Sequence, residues 1–277
     1  MLWNKDKLFC EINPTCYAIS EQKEICRRHI RDFMSKDKFA SAHSKRKLPN
    51  VVSAQSSHLI KRGKGIDIRL QVNKAVNIRL ACKKLNGLII HPGESFSFWR
   101  TVGKTSKRRG YKDGRVIVGG KLQPGIGGGL CNLSNTLHRL ILHSPLEVTE
   151  FHSHSDALAP DEGTRVPFSS GTSVSYNYID YRFRNNTDQN VQLLLWCDKD
   201  NLFGELRSER EFPNSYELEE EGHCFRKEGD KFYRVSKIYK VAHDRITGNV
   251  IKRDLVLDNH SEVMFDYDLI PKELIKN

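Results

Sequence analysis

The sequence has no apolar segment able to cross a bilayer. Its longest uninterrupted apolar run is Leu193-Leu194-Leu195-Trp196-Cys197, against the roughly 20 residues that a transmembrane helix needs. No apolar core follows the opening residues Met1-Leu2-Trp3-Asn4-Lys5-Asp6-Lys7, so no signal peptide is legible and a soluble chain is expected. There is no Cys-x-x-Cys pair among the seven cysteines at positions 10, 16, 26, 82, 131, 197 and 224. An odd number at wide spacing excludes a dense secreted disulfide scaffold and fits reduced thiols in a cytosol. The gaps between Cys10, Cys16 and Cys26 match no common zinc knuckle. Neither a metal nor a cofactor is predicted.

Acidic residues are under-represented, 34 Asp and Glu against 45 Lys and Arg, which leaves a net charge of +11. Such a balance favours polyanionic partners: nucleic acid, anionic lipid or acidic wall polymers. With no helix-turn-helix, zinc-finger or aromatic single-strand motif, no specific nucleic acid is expected. Peripheral contact with an anionic membrane stays open.

Residues 1–64 read as a basic N-terminal extension, partly helical. Within it Glu21 to Phe33 forms one amphipathic helix carrying Ile25, Ile30 and Phe33. From Asn73, Ala75, Ile78, Cys82 and Leu85 recur at helical spacing, and Gly87 supplies a stop. Leu88-Ile89-Ile90, Ser95 to Trp99 and Arg115 to Val118 read as strands. The run Gln123-Pro124-Gly125-Ile126-Gly127-Gly128-Gly129 is a backbone-driven turn. It opens into a helix with the stripe Leu130, Leu133, Leu137, Leu140 and Ile141, which ends near Ser144-Pro145. Strands then dominate: Glu147–Phe151, Ser173–Arg184, Gln189–Cys197 and Leu202–Leu206, with further candidates from Cys224 onward. The predicted fold class is α+β: a mixed sheet, a Gly-rich turn leading into a central helix, and a β-rich C-terminal half. Residues 65–208 form the main domain and 209–277 a small β-rich appendage.

Pro92-Gly93-Glu94-Ser95-Phe96-Ser97-Phe98, Gly110-Tyr111-Lys112-Asp113-Gly114, Gly127-Gly128-Gly129-Leu130-Cys131-Asn132-Leu133-Ser134, Phe151-His152-Ser153-His154 and Tyr178-Ile179-Asp180-Tyr181-Arg182-Phe183-Arg184-Asn185 follow one another in order. This series resembles the VanW family over roughly residues 66 to 208. The resemblance implies association with glycopeptide resistance and cell-wall biology, without implying a reaction. Two departures stand out. The family usually has Gln where this chain has Asn132, and an Asp before the second strand of the β half is replaced near Ser170-Gly171-Thr172.

Cys131 falls in the first turn of the predicted helix, where unpaired amides and the helix dipole favour thiolate. The same amides would hold an oxyanion. The candidate bases are His154, which is favoured, and His152; both follow on the next strand and alternation aims them at one face. An orienting group would be an Asn, a main-chain carbonyl, Asp156 or Asp180. Gly127, Gly128, Gly129, Asn132 and Ser134 are the candidate ligand-binding positions. Cys131 has three readings that the residues leave open: a reactive thiol, a small packing residue, and a metal ligand with His152 and His154. His138, seven residues on, reads as a surface or packing histidine, and Phe96, Phe98 and Trp99 as core.

Two functions follow. The first is an accessory protein of glycopeptide resistance, acting through Cys131 and His154 as an amide hydrolase or acyl transferase on a cell-wall precursor or wall peptide. The alternative is a non-catalytic binding module for such a precursor or another anionic ligand. Either is expected in the cytoplasm or at the inner membrane face.

Overall fold

A computed structural model describes residues 8–60, 67–118, 121–153, 156–157, 160 and 172–276. Helix α1 (Pro14–Met34) starts where Asn13 accepts a hydrogen bond from the Cys16 amide and Pro14 occupies the first helical position. Strand β1 (Asn50–His58) follows. Helix α2 (Ile68–Leu85) is capped by Asp67, whose carboxylate accepts from the Arg69 and Leu70 amides. Gly87 ends it with φ +84°, and a side chain there would also collide with the Ser44 carbonyl.

Next come β2 (Leu88–Ile90), β3 (Ser95–Ser97), the short α3 (Phe98–Val102), and the hairpin of β4 (Asp113–Val118) and β5 (Lys121–Ile126). The central helix α4 (Leu130–Leu142) leads to β6 (Glu147–Glu150), β7 (Asp156–Ala157), β8 (Arg182–Arg184), β9 (Val191–Cys197) and β10 (Asn201–Ser208). Three long strands, β11 (Asn214–Glu228), β12 (Lys231–Asp244) and β13 (Val250–Val263), and the short β14 (Ile275–Lys276) complete the chain.

The fold is α+β, as expected. Among the described residues the central sheet runs β1-β10-β9-β2, antiparallel throughout. Strand β10 alternates between half-buried and buried positions, whereas β9 is buried on both faces from Val191 to Leu195. Its second face is covered by the segment around Ser44–Leu48, tied to Gln192 by the Leu48 amide and by the Ser44 and Arg46 carbonyls. On the first face lie α2, through Ala75, Ile78, Cys82 and Leu85, and α4, through Leu133, Leu137 and Ile141, all at most 4% exposed. Each of the leucines and isoleucines among them contributes about 1.5–3 kcal/mol by leaving water.

A second layer, β3-β8-β6, carries Phe96 stacked on Phe183 at 4.7 Å with Tyr181 at its edge. Phe98 and Trp99 are buried beside it, in the first turn of α3 and not at the end of a strand, because the Ser97 hydroxyl caps the Arg100 amide and turns the chain. A third sheet, β14-β11-β12-β13-β7, meets α4 and β6 through Leu142 and Ile238.

Two further reaches of sequence differ from their predicted elements. The stretch 173–184 forms a strand only over Arg182–Arg184, since the chain turns at Asn177 with φ +50°. Residues 123–126, read as part of the glycine turn, belong to β5 and pair with β4. The compositional boundary at residue 64 separates β1, a strand of the central sheet, from α2. No helix among the described residues is long and apolar enough to cross a membrane.

Candidate functional site

The turn before α4 is dictated by packing. Gly114 and Gly128 lie back to back: a Cβ on Gly128 would stand 2.3 Å from the Gly114 carbonyl carbon, and one on Gly114 would stand 2.3 Å from the Gly128 oxygen. Gly127 and Gly129 have φ of +77° and +91°, a region that favours glycine. A side chain on the first would strike Thr105, and one on the second Lys74. Asn77, wholly buried on α2, holds the turn in place. Its amide nitrogen donates to the Gly128 and Lys112 carbonyls at 2.9 Å each, and its oxygen accepts from the Lys112 amide at 2.8 Å.

Cys131 is the second residue of α4 and half-buried. Burial pushes its thiol up, against the lowering effect of hydrogen bonds from the backbone at Val174 and at Cys131 itself. Desolvation thus outweighs the helix-start amides, and the direction is opposite to that expected from the helix start alone. The segment after β6 lies along the first turns of α4. Ser153 bridges Thr172, the Thr172 amide donates to the Asn135 side chain, and the His152 amide donates to the Thr172 hydroxyl.

Ser134 is fully buried and donates to the Cys131 and Thr172 carbonyls at 3.0 Å. Asn132 accepts from Ser57 and donates to the His58 carbonyl, fastening α4 to the end of β1. The side chains of Asn132 and Ser134 are therefore engaged in holding α4. His152 places its Nε2 3.0 Å from the Glu150 carboxylate, and its side chain is 41% exposed. His154 lies outside the described residues. His138 packs: it is buried, stacked on Phe151 at 5.2 Å, with Nδ1 3.3 Å from the Tyr181 hydroxyl. Burial, with the charge of Lys240, pushes it down to about 3.

Residues 73–207 match the family model described as VanW like protein. The chain is 30% identical over 227 residues to the vancomycin B-type resistance protein VanW of Enterococcus faecalis, covering 82% of either chain. It belongs to the VanW family. The uncharacterized protein YoaR of Bacillus subtilis is 32% identical over 119 residues, 43% of this chain and 38% of that protein. No solved structure matches.

The VanW motif Tyr178 to Asn185 carries a charged network that sequence reasoning named only in part. Asp180, fully buried, accepts from the Ser97 hydroxyl at 2.6 Å, from the Trp99 and Tyr181 amides, and from Arg182 Nε at 2.7 Å. The guanidinium of Arg182 forms two further bonds to Asp32 of α1, at 2.8 and 2.9 Å. One turn back on α1, Arg28 grips Glu150 with both terminal nitrogens. Burial opposes ionisation of Glu150, but His152, Arg28 and Arg182 together hold its carboxyl down at about 2. Asp180 is thus an organiser of α3 and β8. The available signal was Asp180 and Arg182 at strand spacing opposite Arg28 and Asp32 at helix spacing.

A basic surface adjoins the glycine turn. Lys104, Lys107, Arg108, Arg109, Lys112 and Arg115 are all exposed, and the segment is pinned to the turn where the Gly127 amide donates to the Lys112 carbonyl.

Proposed function

We propose that this VanW-family protein is an accessory protein of glycopeptide resistance that binds an anionic cell-wall precursor on the cytoplasmic side of the membrane. Family membership supports the first part, through the relative named for vancomycin B-type resistance. The binding part is carried by the six exposed basic residues from Lys104 to Arg115, pinned against a rigid glycine turn. A pyrophosphate-linked muramyl peptide presents the matching charge. The protonated thiol favoured by burial at Cys131 agrees with binding without a resting thiolate nucleophile.

The test is calorimetric titration with a nucleoside-pyrophosphate-linked muramyl pentapeptide. Lys107→Ser with Arg108→Ser should weaken binding by about tenfold or more at low salt, less at high salt, while Cys131→Ser leaves it unchanged. Equal affinity in the doubly substituted protein would refute the basic site.

A second reading, a Cys131/His154 amide hydrolase or acyl transferase, is favoured by the backbone groups that bond the Cys131 sulfur, since these also suit an oxyanion. Mass spectrometry of the same mixture decides it. A covalent acyl adduct on Cys131, or cleaved peptide lost in Cys131→Ser, establishes catalysis.

A further inference from the structure

We propose that the outward face of α1 docks on an anionic phospholipid surface. The inward face is already committed: Arg28 and Asp32, both buried, are bound to Glu150 and Arg182. On the opposite side Ile19, Lys23, Cys26, Ile30 and Phe33 follow at intervals of four, three, four and three residues, with Met34 beside them. That spacing makes one continuous stripe along the helix, roughly 22 Å long at 1.5 Å per residue. Its apolar members stand in water: Phe33 is 90% exposed, Met34 76%, Ile19 54% and Ile30 54%. Single exposed apolar residues are ordinary, but an aligned row of them marks an interaction face.

The charges around the stripe select the occupant. Lys23 lies within it and Arg31 beside it, both exposed, and Lys36 and Lys38 follow the helix end. Glu24 pairs with Arg27 at 3.0 Å and stands 4.0 Å from Lys23, and exposed Asp37 separates Lys36 from Lys38, so these acids offset part of the charge and leave a net positive rim. A protein partner or a second copy would bury Lys23 among apolar side chains. At a bilayer its ammonium instead reaches up to the phosphates while its stem stays among the acyl chains. Arg100 of α3 lies 3.7 Å from Asp32. The basic segment that starts at Lys104 follows α3 directly, so a lipid-bound α1 would hold that segment near the membrane. The docking stands on α1 alone and does not depend on what the basic segment binds.

The experiment is co-sedimentation of the full chain with vesicles of phosphatidylcholine, with or without phosphatidylglycerol. Binding is expected only when phosphatidylglycerol is present. Ile30→Ser/Phe33→Ser/Met34→Ser should weaken it by at least about tenfold, and Lys23→Ser/Arg31→Ser by about tenfold. All five positions are exposed, so the variants should keep the parent's urea midpoint, which is measured in parallel. No sedimentation with anionic vesicles, or equal binding by the triple variant, overturns the proposal. So does a dimer in sedimentation velocity that the triple variant converts to monomer, because the face would then belong to a second copy.

Discussion

At the scale of single residues, the glycine turn and the thiol behind it obey different constraints. Gly128 is required by space, because its missing Cβ is what lets two backbone segments touch. Gly222 is required only by its φ of +65°, with nothing within 4 Å. Gly128→Ala must therefore shift backbone and should cost about 2–4 kcal/mol, against about 1 kcal/mol for Gly222→Ala, compared by urea denaturation. Equal costs would mean that the turn is looser than its geometry. The cysteines separate just as sharply. Cys197, with its sulfur 3.9 Å from that of Cys82, is pushed down by that thiol and by Arg79, whereas burial pushes Cys131 up. In a pH series of iodoacetamide labelling read by peptide mass spectrometry, Cys197 should react at lower pH than Cys131. The reverse order would restore a thiolate at the helix start.

At the scale of elements, what was legible depended on how local the cause was. The stripes of α2 and α4 could be read because each repeats within one helix, and the turn before α4 because glycines cluster there. Strand β1 was hidden within a basic stretch. Its Ser53 and Ser57 carry no apolar signal and are placed by bonds to Leu140 and to Asn132 on α4. The Cys131 neighbourhood was legible from a motif, whereas the Asp180 network was not, since its partners on α1 lie 150 positions away in sequence. That network makes α1 a docked element with its own stability. Asp32→Ala leaves Arg182 buried without its bidentate partner, a defect of about 3–5 kcal/mol in comparable buried pairs. Hydrogen exchange should accelerate across Pro14–Met34 in this variant and stay slow in α2. Uniform acceleration would make α1 part of the global cooperative unit instead.

At the scale of the whole molecule, the contact between α4 and the C-terminal sheet sets the response to pH. His138 from α4 is held neutral down to about 3 against an ordinary 6.5, and Lys240 from β12 is pushed down by burial to about 8 from 10.5. Below pH 6.5 the unfolded chain protonates His138 while the native state resists, so stability falls as pH drops from 6.5 toward 3. Glu150, held at about 2 against 4.5, extends the loss from pH 4.5 downward. Lys240 acts over a higher window: its contribution is intact above 10.5 and lost as pH falls through 8, so the neutral-pH protein carries a half-buried ammonium at a cost. That ammonium donates to the Leu146 carbonyl at 3.1 Å, which offsets part of the cost. Lys240→Met keeps the volume and removes the charge, so it should stabilise the protein at pH 7 by on the order of 1 kcal/mol. It should also raise the pKa of His138, because a neighbouring positive charge is gone. In urea titrations across pH, the variant's gain should shrink above pH 8 and its acid limb should be shallower than the parent's. A variant that is less stable at pH 7 would mean that the ammonium's contacts, namely the bond to Leu146, the Tyr216 ring at 5.0 Å and the attraction of Asp254, together outweigh the desolvation of the lysine.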